Sequence, residues 1–248
     1  MQPLISVITI SYNAAPVIEA TLRSVASQTF GDYEHLIIDG ASTDDTLRLV
    51  ALAGNPRIEV HSRKDSGIYH AMNRGLKYAA GQYVIFLNAG DRFAAPDTLA
   101  RYAEAALQDP DIIYGDTMIV DEQGTILRPR HLSAPDVLTR KSFLDGMLIC
   151  HQAFMVKRAI APSYSREFAL SADYDWCLRC IEASGLAKRR NLRTVTVHYL
   201  DNGISEKKKF KSLRERFVIM KRHYGLIAAV KAHLRFVPRA LKRKIKPQ

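Results

Sequence analysis

Asp91 closes a stretch, Gln82 to Asp91 (QYVIFLNAGD), in which a short apolar run breaks off into a polar turn. Tyr83 to Leu87 is rich in β-branched and aromatic residues and reads as a buried strand. In open α/β sheets, ligands bind at the carboxyl ends of strands. A carboxylate there, beside the small residues Ala89 and Gly90, can hold a divalent cation and still let a diphosphate approach closely. The same residue types also make ordinary turns. Other polar side chains end other apolar runs: Ser11, Tyr12 and Asn13, then Asp39, then Asp65 and Ser66, then Asn88 with Asp91. Their convergence on one sheet edge weakens the plain-turn account. In the second half, Asp173 and Asp175 open the segment SADYDWCLRCI, where they are either chemical groups or first-turn acids of a helix. His151 and Gln152 precede an apolar run, as pocket residues or as core. His198 sits beside Tyr199, either near a diphosphate or as a strand-end residue bonded to backbone.

The elements that must position these groups alternate. Leu4 to Ile10 and His35 to Asp39 read as strands, and Ile58 to Val60 as a short third one. Helical spacing of apolar residues marks Val17 to Ser27 and Ile68, Ala71, Met72, Leu76 and Ala79, with a helix start at Thr46. This order predicts a parallel α/β sheet. Ile112 to Val120 reads as a strand, Arg128 to Ser133 as a loop, Ser171 to Ile181 as a helix and Val195 to His198 as a last strand, with Tyr199 to Ser205 a loop. No GxGxxG follows the first strand and no GxxxxGK[ST] occurs, which disfavours a dinucleotide dehydrogenase and a P-loop enzyme.

The 248 residues, 47% of them hydrophobic, suffice for a full core. Cys150, Cys177 and Cys180 are an odd set, and the one CxxC lies in a helical pattern, so structural thiols in a reduced compartment are expected. The N-terminus enters a strand directly, without the pattern of a signal peptide, and no window approaches the length of a membrane span. The net charge of +11 is concentrated: Glu206 to Gln248 holds 15 basic and 2 acidic residues, leaving 21 and 23 in the rest. Leu226, Ile227, Val230, Leu234, Val237, Leu241 and Ile245 recur every three or four residues there, with Pro238 as a kink. Such a basic amphipathic tail points to an anionic membrane surface. The alternatives are a helix packed on the body, and a nucleic-acid contact, which the scarcity of aromatics disfavours.

The ordered set SVITISYN, IIDGASTDDT, KDSGIYHAMNRG, VIFLNAGD, CHQAF and SADYDWCLR resembles the inverting family 2 glycosyltransferases of GT-A fold, over about residues 4–205. It is most similar to bacterial members that build exopolysaccharide, of the colanic acid type, or lipopolysaccharide. The resemblance implies an α/β, Rossmann-like, mixed but mostly parallel sheet flanked by helices, with a basic C-terminal helical tail. It implies a nucleotide-sugar-binding half over 1–115, an acceptor-binding and catalytic half over 116–205, and the tail over 206–248. Thr9, Ser11, Tyr12, Asp39, Asp65 and Asn88 would bind the nucleotide. Asp91 would bind Mg2+ or Mn2+, and Asp173 would be the catalytic base. His151, Gln152, Asp175 and His198 would shape the acceptor or donor-sugar pocket. Relatives often read Asp-x-Asp-Asp where this chain has Asn88-Ala89-Gly90-Asp91, and Asp-Asp-Gly-Ser where it has Asp39-Gly40-Ala41-Ser42.

The implied activity is metal-dependent transfer of a sugar from a UDP- or GDP-linked donor to a lipid-linked or glycan acceptor in surface polysaccharide synthesis. Its implied place is the cytoplasmic face of the inner membrane. Inversion in one displacement needs one general base, unlike the carboxylate pair of glycosidases. The thinned acidic turn at Asn88–Asp91 leaves a second reading, a non-catalytic scaffold that binds nucleotide sugars.

Overall fold

The computed structural model describes residues 2–201 and 209–234. The apolar runs of the first half become strands β1 (Ile5–Ser11), β2 (Tyr33–Asp39), β3 (Ile58–Ser62) and β4 (Tyr83–Phe86). They pair in parallel in the order β3-β2-β1-β4. Every residue of β1 and β4 is buried, as continuous hydrophobic runs covered on both faces must be. Helices α1 (Ile18–Ala26) and α2 (Thr46–Leu52) bury Ile18, Leu22 and Val50 against Ile37 on one face of the sheet. Helix α3 (Ile68–Tyr78) contributes Tyr69, Ala71 and Met72 to the larger core.

The second half completes the same sheet. Strands β5 (Arg92–Phe93), β6 (Ile112–Val120), β8 (Phe154–Lys157) and β9 (Arg189–Leu200) extend it as β4-β8-β6-β9-β5, and β7 (Ile126–Pro129) pairs with β6. Strand β8 runs antiparallel between β4 and β6, so the sheet is mixed although β1 to β4 are parallel. Sequence periodicity missed helix α4 (Thr98–Ala106), read a loop where β7 forms, and gave β9 only its last few residues. β7 is exposed along its length and carries no apolar alternation to signal it.

Helix α5 (Ala172–Ala183) carries Trp176 into an aromatic cluster. Trp176 stacks on Tyr164 at 4.9 Å and meets Phe86, His151 and Phe154 edge-on. Cys150, Cys177 and Cys180 are free and buried, as expected of structural thiols.

The tail differs from the sequence reading over its described part. Helix α6 (Lys209–Tyr224) and a following helix α7 (226–234) pack on the body. Ile219, Met220, Ala229 and Ala232 are buried. Glu215 accepts the backbone N–H groups of Ala169 and Leu170, Ser171 meets Ser212, and Arg222 grips Glu167 through both nitrogens. Residues 209–234 therefore pack on the body through α6 and through one side of α7. Val237, Pro238, Leu241 and Ile245 lie outside the described residues.

His223 of α6 bridges two acids of α5, with Nε2 3.1 Å from Asp175 and Nδ1 3.0 Å from Glu182. The bond to Asp175, chiefly, raises its pKa above the ordinary 6.5, against the opposing effect of burial. A raised folded pKa stabilises fully below the unfolded value and less as pH climbs through the folded one. The difference in unfolding free energy between wild type and His223→Gln should thus be largest below the ordinary histidine value of 6.5 and shrink as pH rises above it. Denaturant titrations across pH check this. Taking the difference cancels the opposite titration of His35 and His151, which burial pulls down to about 3 and about 4.

Candidate donor-binding and catalytic site

The strand register sets Ser11 beside Asp39 and Asp39 beside Ser62, at the carboxyl ends of three adjacent parallel strands. The Asp39 carboxylate takes four donors: Ser11 Oγ at 3.2 Å and Ser42 Oγ at 2.5 Å on one oxygen, Ser42 N at 2.8 Å and Ser62 Oγ at 2.7 Å on the other. Burial pushes its pKa up, but these bonds, those of Ser42 foremost, outweigh it and hold the group below the carboxylate range. A carboxylate offers about four lone-pair positions, and all are filled. Asp39, expected at the base edge, thus fastens the loop after β2, and Ser11, expected near the nucleoside, is part of that fastening. Thr9, also expected there, lies deeper. It is fully buried, donates to the Leu87 carbonyl at 2.8 Å and accepts from His35 Nε2 at 2.9 Å.

Tyr12 and Asp65 remain where a nucleoside could reach them. The Tyr12 ring is 66% exposed. Both flank Gly40 so closely that a Cβ there would lie 3.0 Å from Asp65 Oδ2 and 3.1 Å from Tyr12. The backbone beneath them is strained: Asn13 and Ala41 have positive φ, of 47° and 63°, which non-glycine residues seldom adopt away from functional loops. Asp65 Oδ1 accepts Gly67 N–H and so shapes the entry into α3.

The turn after β4 encloses Asp91, the residue expected to bind the metal. Its side chain is buried, with Oδ1 accepting Leu200 N–H at 3.0 Å and Oδ2 accepting Gln152 Nε2 at 2.9 Å. Burial pushes its pKa up to about 7, despite those two bonds. Both of its oxygens are thus engaged by donors of the chain. Gly90 has φ +99°, and a Cβ on it would strike Leu200 at 2.7 Å, so the turn closes directly against the end of β9. The unpartnered oxygen at this turn is Asn88 Oδ1, which is buried and has no hydrogen-bond partner. It is a hard, neutral oxygen of the kind Mg2+ and Mn2+ accept alongside donor phosphates. Among the described residues, no three His, Cys, Asp or Glu side chains come together as a metal cage.

Asp173 lies in the first turn of α5, partly open. Its Oδ1 accepts from the Tyr69 hydroxyl at 3.1 Å and from Tyr174 N–H at 2.9 Å, while among the described residues Oδ2 has no hydrogen-bond partner. Tyr69 opens α3, so this bond joins the amino-terminal ends of two helices from the two halves. Tyr164 backs the pair. Asn73 clamps its backbone N–H and carbonyl at 2.7 and 3.0 Å, and its hydroxyl bonds His151 Nε2. Sequence reasoning missed Tyr69 and Tyr164 as partners; Tyr69 lies inside the quoted motif KDSGIYHAMNRG, while Tyr164 lies outside every quoted motif.

Three pocket residues take other roles. His151 is buried in the aromatic cluster, where burial drops its pKa to about 4, so it is a neutral partner of Tyr164. Gln152 links Asp91 to Cys150, accepting from the thiol at 2.9 Å. Asp175 faces α6, held by Arg179 at 2.8 Å and by His223, and leaves the pocket altogether. The reason is helical geometry: two residues on, a side chain points about 200° away. His198 lies on β9 across from Arg92 of β5, next to the turn, its pKa lowered by burial and then by Arg92.

Removing the Asp91 carboxylate strands the Leu200 N–H and the Gln152 amide. Asp91→Ala should cost on the order of 1–3 kcal/mol of stability in denaturant unfolding, the usual cost of a buried unsatisfied group. Asp91→Asn should cost less and gain on wild type as pH rises from about 4 to about 7, because only the carboxyl must ionise there.

Residues 6–163 match the profile of Glycosyl transferase family 2. A PGL/p-HBAD biosynthesis glycosyltransferase of Mycobacterium bovis is 33% identical over 224 residues, covering 85% of this chain and 84% of that relative. Among solved structures, S. aureus TarS 1–349 in complex with UDP-GlcNAc superposes with a TM-score of 0.75 at 18% identity, over 98% of this chain and 76% of that one. Glucosyl-3-phosphoglycerate synthase from Mycobacterium tuberculosis, in complex with Mn2+, UDP and glucosyl-3-phosphoglycerate, superposes at 0.63 with 17% identity, over 90% and 81%. The structural likenesses agree with a GT-A-like α/β fold, and with the profile and the close relative they establish that the chain belongs to glycosyl transferase family 2.

Proposed function

We propose that the protein moves one sugar from a UDP- or GDP-linked donor to a glycan or lipid-linked acceptor, with inversion, during assembly of a bacterial surface polysaccharide at the cytoplasmic face of the inner membrane. The observation that carries this reading is Asp173. It is a carboxylate held on one oxygen by Tyr69 and Tyr174 and open on the other. The nucleotide complexes of the structural neighbours support the donor class.

In this reading, Tyr12 and Asp65 take the nucleoside above the Asp39 fastening. The acceptor hydroxyl lies against Asp173 Oδ2. Its oxygen bonds the anomeric carbon from the face opposite the diphosphate while its proton passes to Oδ2. The bond from that carbon to the phosphate oxygen breaks, and its electron pair leaves with the nucleoside diphosphate. The Tyr69 bond fixes which carboxylate oxygen faces the acceptor. Asn88 Oδ1 and the donor's phosphates would hold a Mg2+ or Mn2+ ion, which when bound offsets the charge of the leaving diphosphate. The closed Asp91 turn favours a second reading, a scaffold that binds nucleotide sugars without turnover.

Two measurements separate them. Nucleotides at 100 times their dissociation constant should stabilise the fold by about 2.7 kcal/mol in thermal unfolding. Asp173→Asn should keep that stabilisation and lose transfer by about 10²–10⁴-fold, the range of general-base catalysis. Donor binding with no turnover in wild type, and no difference in Asp173→Asn, leaves the scaffold.

A further inference from the structure

Helix α7 is fastened on one side only. Ala229 and Ala232 are buried against the body, and the His233 ring meets Phe217 edge-on at 5.0 Å. On the other side Leu226 is 53%, Ile227 74%, Val230 41% and Leu234 65% exposed. Leu226, Val230 and Leu234 follow at four-residue steps and Ile227 joins them, so the four form one stripe. Single exposed apolar residues are ordinary, but four on nine residues of helix mark an interaction surface. The charge around the stripe has one sign. Lys231 is exposed beside it, α7 holds no acid, and residues 235–248, which follow directly, contain six basic residues and no acidic one.

We infer that this stripe docks on an anionic lipid surface, with Leu226, Ile227, Val230 and Leu234 at the acyl boundary and the basic residues among the headgroups. A bilayer interface is apolar beneath and anionic above, which this face matches in both respects. A second copy of the chain matches poorly, because a self-complementary interface would bring the two basic segments together. The membrane location proposed above is thereby given a particular surface. The same support carries the base: α6 holds the segment just before Asp173 through Glu215 and Ser212.

The test sediments the full chain with phosphatidylcholine vesicles, with and without phosphatidylglycerol, over a range of salt. No donor or acceptor is present, so failure here is distinct from failure of the transferase reading. Wild type should bind the anionic vesicles, less so as salt rises. Leu226→Ser with Ile227→Ser should lower partitioning by about tenfold or more, since two large side chains lose their apolar burial. Ile227→Asp alone, at the most exposed of these positions, should act in the same direction with an unchanged melting temperature. The inference is overturned if wild type ignores anionic vesicles, if the variants bind as wild type does, or if they only turn a dimer into a monomer on size exclusion. Stronger binding to single-stranded RNA than to vesicles, untouched by the variants, overturns it too.

Discussion

The buried carboxylate of Asp91 ties together three segments that are far apart in sequence. One oxygen fixes the end of β9 through Leu200, the other fixes the segment before β8 through Gln152, and its own backbone ends the turn after β4. A charge in such a place is costly, and the raised pKa records that cost. Hydrogen bonds from both flanks make the group tolerable and set the spacing of the sheet edge. The mixed second half of the sheet joins the parallel first half through the antiparallel pairing of β4 with β8, and the Asp91 bonds fasten the turn that follows β4.

Around that joint the acids divide by what surrounds them. Asp39 is saturated by serines and held charged; Asp91 is enclosed and pushed toward neutrality; Asp175 is spent on Arg179 and His223. Asp173 alone among these keeps an oxygen without a partner, and it does so beside the aromatic cluster that holds Tyr69 and Tyr164. The cluster gives the open carboxylate a fixed backing. Rings packed at 4.9 to 6.0 Å leave little room for Trp176 or Tyr164 to shift.

The C-terminal helices show that one sequence pattern can serve two surfaces. The α6 residues Ile219 and Met220 satisfy the body, while its Arg222 and His223 answer acids on the same body. Helix α7 turns Ala229, Ala232 and His233 inward. Its larger apolar residues are exposed, and the sequence that follows them is basic.

Much of the fold was legible in the sequence. Buried parallel strands need unbroken apolar runs, so β1, β2 and β4 stand out from residues 5–11, 33–39 and 83–86, and the helices between them show through their three-and-four spacing. Family membership was legible in the ordered motifs, because strand ends and helix starts fall at fixed places along the chain. Short or exposed elements such as β5 and β7 carry no such pattern. The state of each acid was not legible at all. Sequence puts Asp39, Asp91, Asp173 and Asp175 at strand ends and a helix start, but whether a carboxylate is caged, enclosed, paired or open depends on which donors the chain brings from 20 to 110 residues away. Tertiary structure made that choice, since hydrogen bonds and burial act over a few ångströms of space whatever the distance along the chain.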